Sequence, residues 1–87
     1  MIILDKETIK EAFKLKDGTE FIFEYVAAGV GYQEKAIKMG KDIYYKMESN
    51  PYQDAETGKP LDCYCFFDKN NNMRVAVKTL NGTIELK

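Results

Sequence analysis

The sequence has no histidine and a single serine, Ser49. A Ser-His-Asp or Cys-His nucleophilic site therefore cannot be assembled from one copy of the chain. Two cysteines without histidine cannot close a structural zinc site. No G-x-x-x-x-G-K-[ST] phosphate loop is present. Arginine is nearly absent: Arg74 stands alone against twelve lysines. The residue best suited to bidentate recognition of phosphate, carboxylate or guanine is thus scarce. Carboxylates, lysines, tyrosines and two thiols are what remains for chemistry, and the expectation is a protein that is not an enzyme, with no cofactor and no bound metal.

No apolar run approaches the ~18 residues that cross a bilayer as a helix. Met1–Leu4 is apolar but meets Asp5 and Lys6 at once, too soon for the core of a secretion signal. Cys63 and Cys65 lie two apart in an expected strand, so they share a face with Cα atoms roughly 6.5–7 Å apart, beyond the usual disulfide span. The expectation is a pair of reduced, buried thiols in a soluble, cytoplasmic protein without membrane association.

The 87 residues carry a net charge of −1 with the signs interleaved: eight lysines and nine acids over 1–48, five cations and five acids over 49–87. Neither half is a basic patch, which argues against nucleic acid as a partner. Length and a 45% apolar content suit one domain, 1–87, with one core.

The residue pattern predicts an α+β fold. Asp5 can cap a helix over 5–14, with Ile9, Ala12 and Phe13 on one face. Asp17-Gly18 is a turn pair, and Thr19–Ala27 alternates as a strand. Residues 32–49 support two readings. On a helical wheel Tyr32, Ala36, Ile37, Met39, Gly40, Ile43, Tyr44 and Met47 share one side. Glu34–Lys38 and Asp42–Lys46 are i,i+4 ion pairs in the favourable direction. The alternative is a β-hairpin within 36–48 turning at Gly40-Lys41, which would give a mostly-β small barrel. The helix is preferred, although Gly40 costs it about 1 kcal/mol relative to alanine. Ser49–Pro60 reads as a loop. A three-strand meander follows at 61–67, 73–80 and 83–86, turning at Asp68–Asn72 and at Asn81-Gly82. The sheet is expected to be antiparallel, with four to five strands.

Four features bear on function. Gly29, Gly31 and Tyr32 lie between an expected strand and an expected helix, where backbone amides can cradle an anion and a ring can stack on a ligand. Asp62 with Glu85 and Lys87 matches an Asp…Glu-x-Lys pattern by which many nucleases hold magnesium, but a solvated strand edge accounts for it better. The 49–60 loop offers Tyr52, Asp54 and Glu56. The supply of tyrosine and phenylalanine exceeds what one sheet face can bury, so a second face is either covered by a helix or open to a partner.

The leading expectation is a non-enzymatic protein-binding module, an inhibitor or adaptor, with Tyr45, Tyr52, Asp54 and Glu56 touching the partner. The second is an oligomeric binder of a small anionic or nucleotide-like ligand at Gly29, Gly31 and Tyr32. The third is a small nucleic-acid-binding barrel: Leu15–Phe21 (LKDGTEF) and the strand after it resemble the strands of Sm-like proteins over a short stretch. The acidic balance opposes that third reading.

Overall fold

The computed structural model describes residues 1–87, with seven β-strands and one short 3-10 helix. It is nearly all-β, and neither expected α-helix is present. The chain divides into two compact units, Met1–Tyr45 and Lys46–Lys87, each with buried side chains of its own.

In the first unit the strands follow the order β1 (Ile3–Leu4), β2 (Glu20–Ala27), β3 (Val30–Met39) and β4 (Asp42–Lys46). β1 runs parallel to β2, and the 3-10 helix Ile9–Lys14 lies in the crossover between them. β2 and β3 pair antiparallel from Glu20↔Ile37 to Ala27↔Val30, and β3 pairs with β4 from Ala36↔Tyr45 to Met39↔Asp42.

The expected helix over 5–14 is replaced because Asp5 spends its carboxylate on a local turn. Its Oδ1 accepts from the Glu7 and Thr8 backbone N–H groups at 2.9 and 3.0 Å, and the Thr8 hydroxyl donates to it at 3.1 Å. Such side-chain-to-backbone bonds compete with helix formation. The helix that follows repeats every three residues rather than every 3.6. Ile9, Ala12 and Leu15 therefore share the core face with Leu4, Phe21 and Ala36, while Phe13, expected inside, is 51% exposed.

The expected helix over 32–49 is a hairpin, as the alternative for 36–48 had it, but β3 begins earlier, at Val30. Gly40 decides the turn. Its φ of 60° in a two-residue loop suits a tight hairpin connection and would be wasted in a helix. Asp17 holds that turn from outside: its Oδ1 accepts from Gly40 N at 3.0 Å and from Lys38 Nζ at 2.7 Å. Where β3 and β4 pair, they are also buried on both faces. Ala36 packs on one side with Ile43 and Tyr45, while the neighbouring Ile37 and its partner Tyr44 are buried on the other. A strand buried on both faces loses its period of two, so the helical wheel found a false stripe.

The second unit contains the expected meander within about two residues at each end: β5 (Asp62–Phe67), β6 (Met73–Lys78) and β7 (Ile84–Leu86), all antiparallel. Cys63 and Cys65 do share a face, opposite Val77 and Val75, and pack with Leu61 and Met47. Both thiols are free: Cys63 is buried and donates to the Leu61 carbonyl at 3.3 Å, and Cys65 is half-buried, with burial pushing its pKa up. Tyr64 and Ala76 are buried on the opposite face. The 49–60 segment is more ordered than a plain loop. Gln53 bridges Pro60, Asp54 N donates to Lys59 O at 2.9 Å, and Leu61 N donates to Tyr52 O at 3.0 Å.

Two predictions concern these turns. The bond from Lys38 and that from Gly40 N hold the Asp17 carboxyl below its ordinary pKa. Stability from this group is present above the unfolded value, about 4, and is lost as pH falls through the lower folded value. Asp17→Asn should therefore melt below wild type at pH 7, and thermal scans should show the gap closing as pH falls below about 4. Gly40→Ala meets no steric obstacle, so its cost is the backbone conformation alone, about 1–2 kcal/mol in urea unfolding.

Candidate functional site

Past Phe23 the first unit narrows to two strands. β1 stops at Leu4, opposite Phe23, where the Asp5 turn leads the chain away. β4 pairs with β3 only as far as Ala36. Glu24–Ala27 and Val30–Lys35 thus form a two-stranded arm closed by Ala28-Gly29.

The backbone geometry of this arm follows from the ladder. Ile22 N donates to Ile2 O at 2.9 Å, so the even-numbered residues of β2 direct their N–H and C=O groups toward β1. Val26 has the same parity, lies beyond the end of β1, and has no backbone partner on that side. Lys38 exchanges backbone bonds with Gly18 and Thr19, so the even residues of β3 face β2 while Gly31 and Gln33 point away. Both edges of the arm are open.

Its side chains are equally distinctive. Phe23 and Tyr25 stack at 5.5 Å between ring centroids, Tyr25 and Tyr32 stack at 5.3 Å, and Tyr45 tilts against Phe23 at 6.0 Å. The row runs from the core at the foot of the arm to its exposed end. The Tyr25 hydroxyl donates to Glu34 Oε1 at 3.2 Å. Burial, with the Glu34 charge beside it, raises the Tyr25 phenol above its usual pKa, and the same causes raise Tyr45. Gln33 Nε2 donates to Glu24 Oε1 at 2.6 Å across the other face. Toward the tip Val26 is 67% exposed, Val30 52% and Tyr32 46%. Ala28 has φ 52°, a left-handed conformation that asparagine adopts at less cost. An open hollow of about 1000 Å³ lies against the arm, lined by Glu24, Tyr25, Val26, Gly31, Tyr32 and Gln33 from the hairpin and by Asp5, Lys6 and Glu7 beside it.

Of the residues expected to touch a ligand, Gly29 sits in the arm's turn with φ 78°, and Gly31 and Tyr32 line the hollow. Their surroundings differ from the expectation: no helix begins there, so no helix terminus supplies a positive dipole end. Tyr45 stands at the foot of the aromatic row, half-buried against Phe23. Tyr52, Asp54 and Glu56 belong to the second unit. Tyr52 is 37% exposed with Lys87 Nζ 5.6 Å from its ring centroid. Asp54 is committed to its own turn, accepting from Thr57 N at 2.9 Å, Thr57 Oγ1 at 3.0 Å and Glu56 N at 3.2 Å, and these bonds lower its pKa. Glu56 is exposed.

Asp62 and Glu85 do not converge. Asp62 pairs with Lys78, which pairs with Ile84, whereas Glu85 shares the opposite face with Val77 and Cys63. No group of three or more carboxylate or thiol side chains is arranged to hold a metal ion. No helix is long and apolar enough to cross a membrane.

Sequence reasoning passed over Val26, Val30 and Tyr25. A usable signal was there: Tyr25–Gln33 is an uncharged run of nine residues in a chain that is 31% charged. Comparison with protein-family models, with curated proteins and with solved structures returns no match.

The two ends of the aromatic row should respond differently to substitution. Tyr45→Ala removes packing from the core and should cost about 1–2 kcal/mol, less than for a fully buried ring. Val30→Lys, at an exposed position, should stay within about 0.5 kcal/mol of wild type. Chemical unfolding of both variants measures this.

Proposed function

We propose that this protein works by protein–protein contact and that the β2–β3 arm is its contacting element. One observation supports this most: the longest uncharged run of the chain forms an exposed hairpin with both backbone edges open. Proteins usually blunt such edges with lysine, proline or a bulge. Nothing of that kind occurs between Tyr25 and Gln33. Tyrosine side chains there supply large, stiff contact area at small entropic cost. The left-handed Ala28 fits the same reading, because the tip carries strain while keeping an apolar surface.

Binding of a small anionic ligand at Gly29, Gly31 and Tyr32 is the weaker reading. The hollow that Gly31 and Tyr32 line also holds the carboxylates of Asp5, Glu7 and Glu24, and their charge opposes an anion. Those charges do not oppose a partner protein, which can meet Val26, Val30 and Tyr32 with apolar side chains and the carboxylates with cationic ones.

The test uses immobilised wild type, a Val26→Lys/Val30→Lys variant, and Phe67→Lys, which alters an exposed apolar residue in the second unit. Proteins retained from a lysate of the cells that make the chain should fall at least tenfold with the double variant and hold with Phe67→Lys, all three melting alike. Equal retention on the arm variant would remove the arm from the proposal.

A further inference from the structure

We infer that the open edge of β2 at Glu24–Ala27 receives an extended, basic segment of a partner protein, which adds there as a strand. This rests on the contact reading above and specifies the partner's chemistry. Three observations converge. The Val26 N–H and C=O point away from β3, with no partner beyond the end of β1. The hollow lies against this edge, bounded by Asp5, Lys6 and Glu7 on one side and by Glu24, Tyr25 and Val26 on the other. Its lining has three carboxylates against one ammonium, Lys6.

Each of these selects a property of the occupant. The outward N–H and C=O of Val26 lie on one edge of an extended strand and select an extended segment, which pairs with both at once. The excess of carboxylates selects lysine or arginine side chains. Glu24 is already bonded to Gln33 through Oε1, which holds its carboxylate in place beside the edge. The Tyr32 ring, at the end of the stack and exposed, adds a face over which a cation or an apolar side chain can rest. Gly31, opposite Val26, brings no side chain to the sheet surface and leaves that part of the hollow open.

The probe is a capped octapeptide of alternating valine and lysine, titrated into isotope-labelled protein to millimolar concentration. Controls are the valine–glutamate peptide and the valine–lysine peptide with its central amides N-methylated, which keeps the charge and removes the strand hydrogen bonds. The valine–lysine peptide should shift the Val26 amide and its neighbours Tyr25 and Ala27 saturably and slow Val26 hydrogen exchange at least tenfold; neither control should. Val26→Pro removes the outward donor while leaving the β2–β3 bonds in place, and should abolish the shifts of the Tyr25 and Ala27 amides. Glu24→Gln should weaken it several-fold. An equal response to the N-methylated peptide would reduce the effect to charge attraction and overturn the inference. So would an equal response to the valine–glutamate peptide. A peptide-free dimer by sedimentation, with Val26 already protected, would assign the edge to a second copy of the chain. If the peptide fails while the arm variant still loses its retained proteins, strand addition falls and the contact reading stands.

Discussion

The ladder between β2 and β3 governs the rest of the first unit. Its unbroken register, from Glu20↔Ile37 to Ala27↔Val30, puts Phe21 beside Ala36 in the core and Tyr25 beside Tyr32 near the tip. A slip of one residue would turn one strand over relative to the other, placing Phe21 and Ala36 on opposite faces. Burial at the base therefore fixes the geometry at the exposed end. Phe21 and Ala36 are almost fully enclosed, and their enclosure sets which backbone groups of Val26 and Gly31 face away from the hairpin. The arm is well specified although few contacts hold its tip.

Legibility in the sequence tracked how each element is buried. The C-terminal meander was readable because alternation at Cys63, Cys65, Val75 and Val77 coincides with plain turn signals on either side. The strand at Glu20–Ala27 was readable for the same reason. Residues 36–46 misled because β3 and β4, where they pair, bury side chains on both faces, and two alternating stripes overlaid can imitate one helical stripe. Gly40 held the deciding information, as a turn residue rather than a helix penalty. The N-terminal helix failed on a subtler point: Asp5 and Thr8 close a local turn ahead of the helix, and the 3-10 helix that follows has a period of three, which reverses the fate of Phe13.

The candidate site was legible only in part. Gly31 and Tyr32 were singled out for an amide cradle, and the structure gives them a place on the wall of a hollow instead. Tyr45 was singled out as an exposed anchor and is instead the inner end of a row of rings. The missing information is three-dimensional. Whether a strand edge is open depends on where its neighbours stop, and neither the short reach of β1 nor the end of the β3–β4 ladder at Ala36 leaves a mark in local composition.

Asp17 adds a mechanical consequence. It sits just before β2 and grips the turn just after β3, so it ties together the two chain ends of the hairpin at its base. The opposite end has only the Ala28-Gly29 turn. The arm is a cantilever, stiff at its root and progressively freer toward its tip. Fluctuation should rise smoothly along its length rather than switch on at a hinge, letting the tip adjust to a neighbouring surface while the root keeps its orientation.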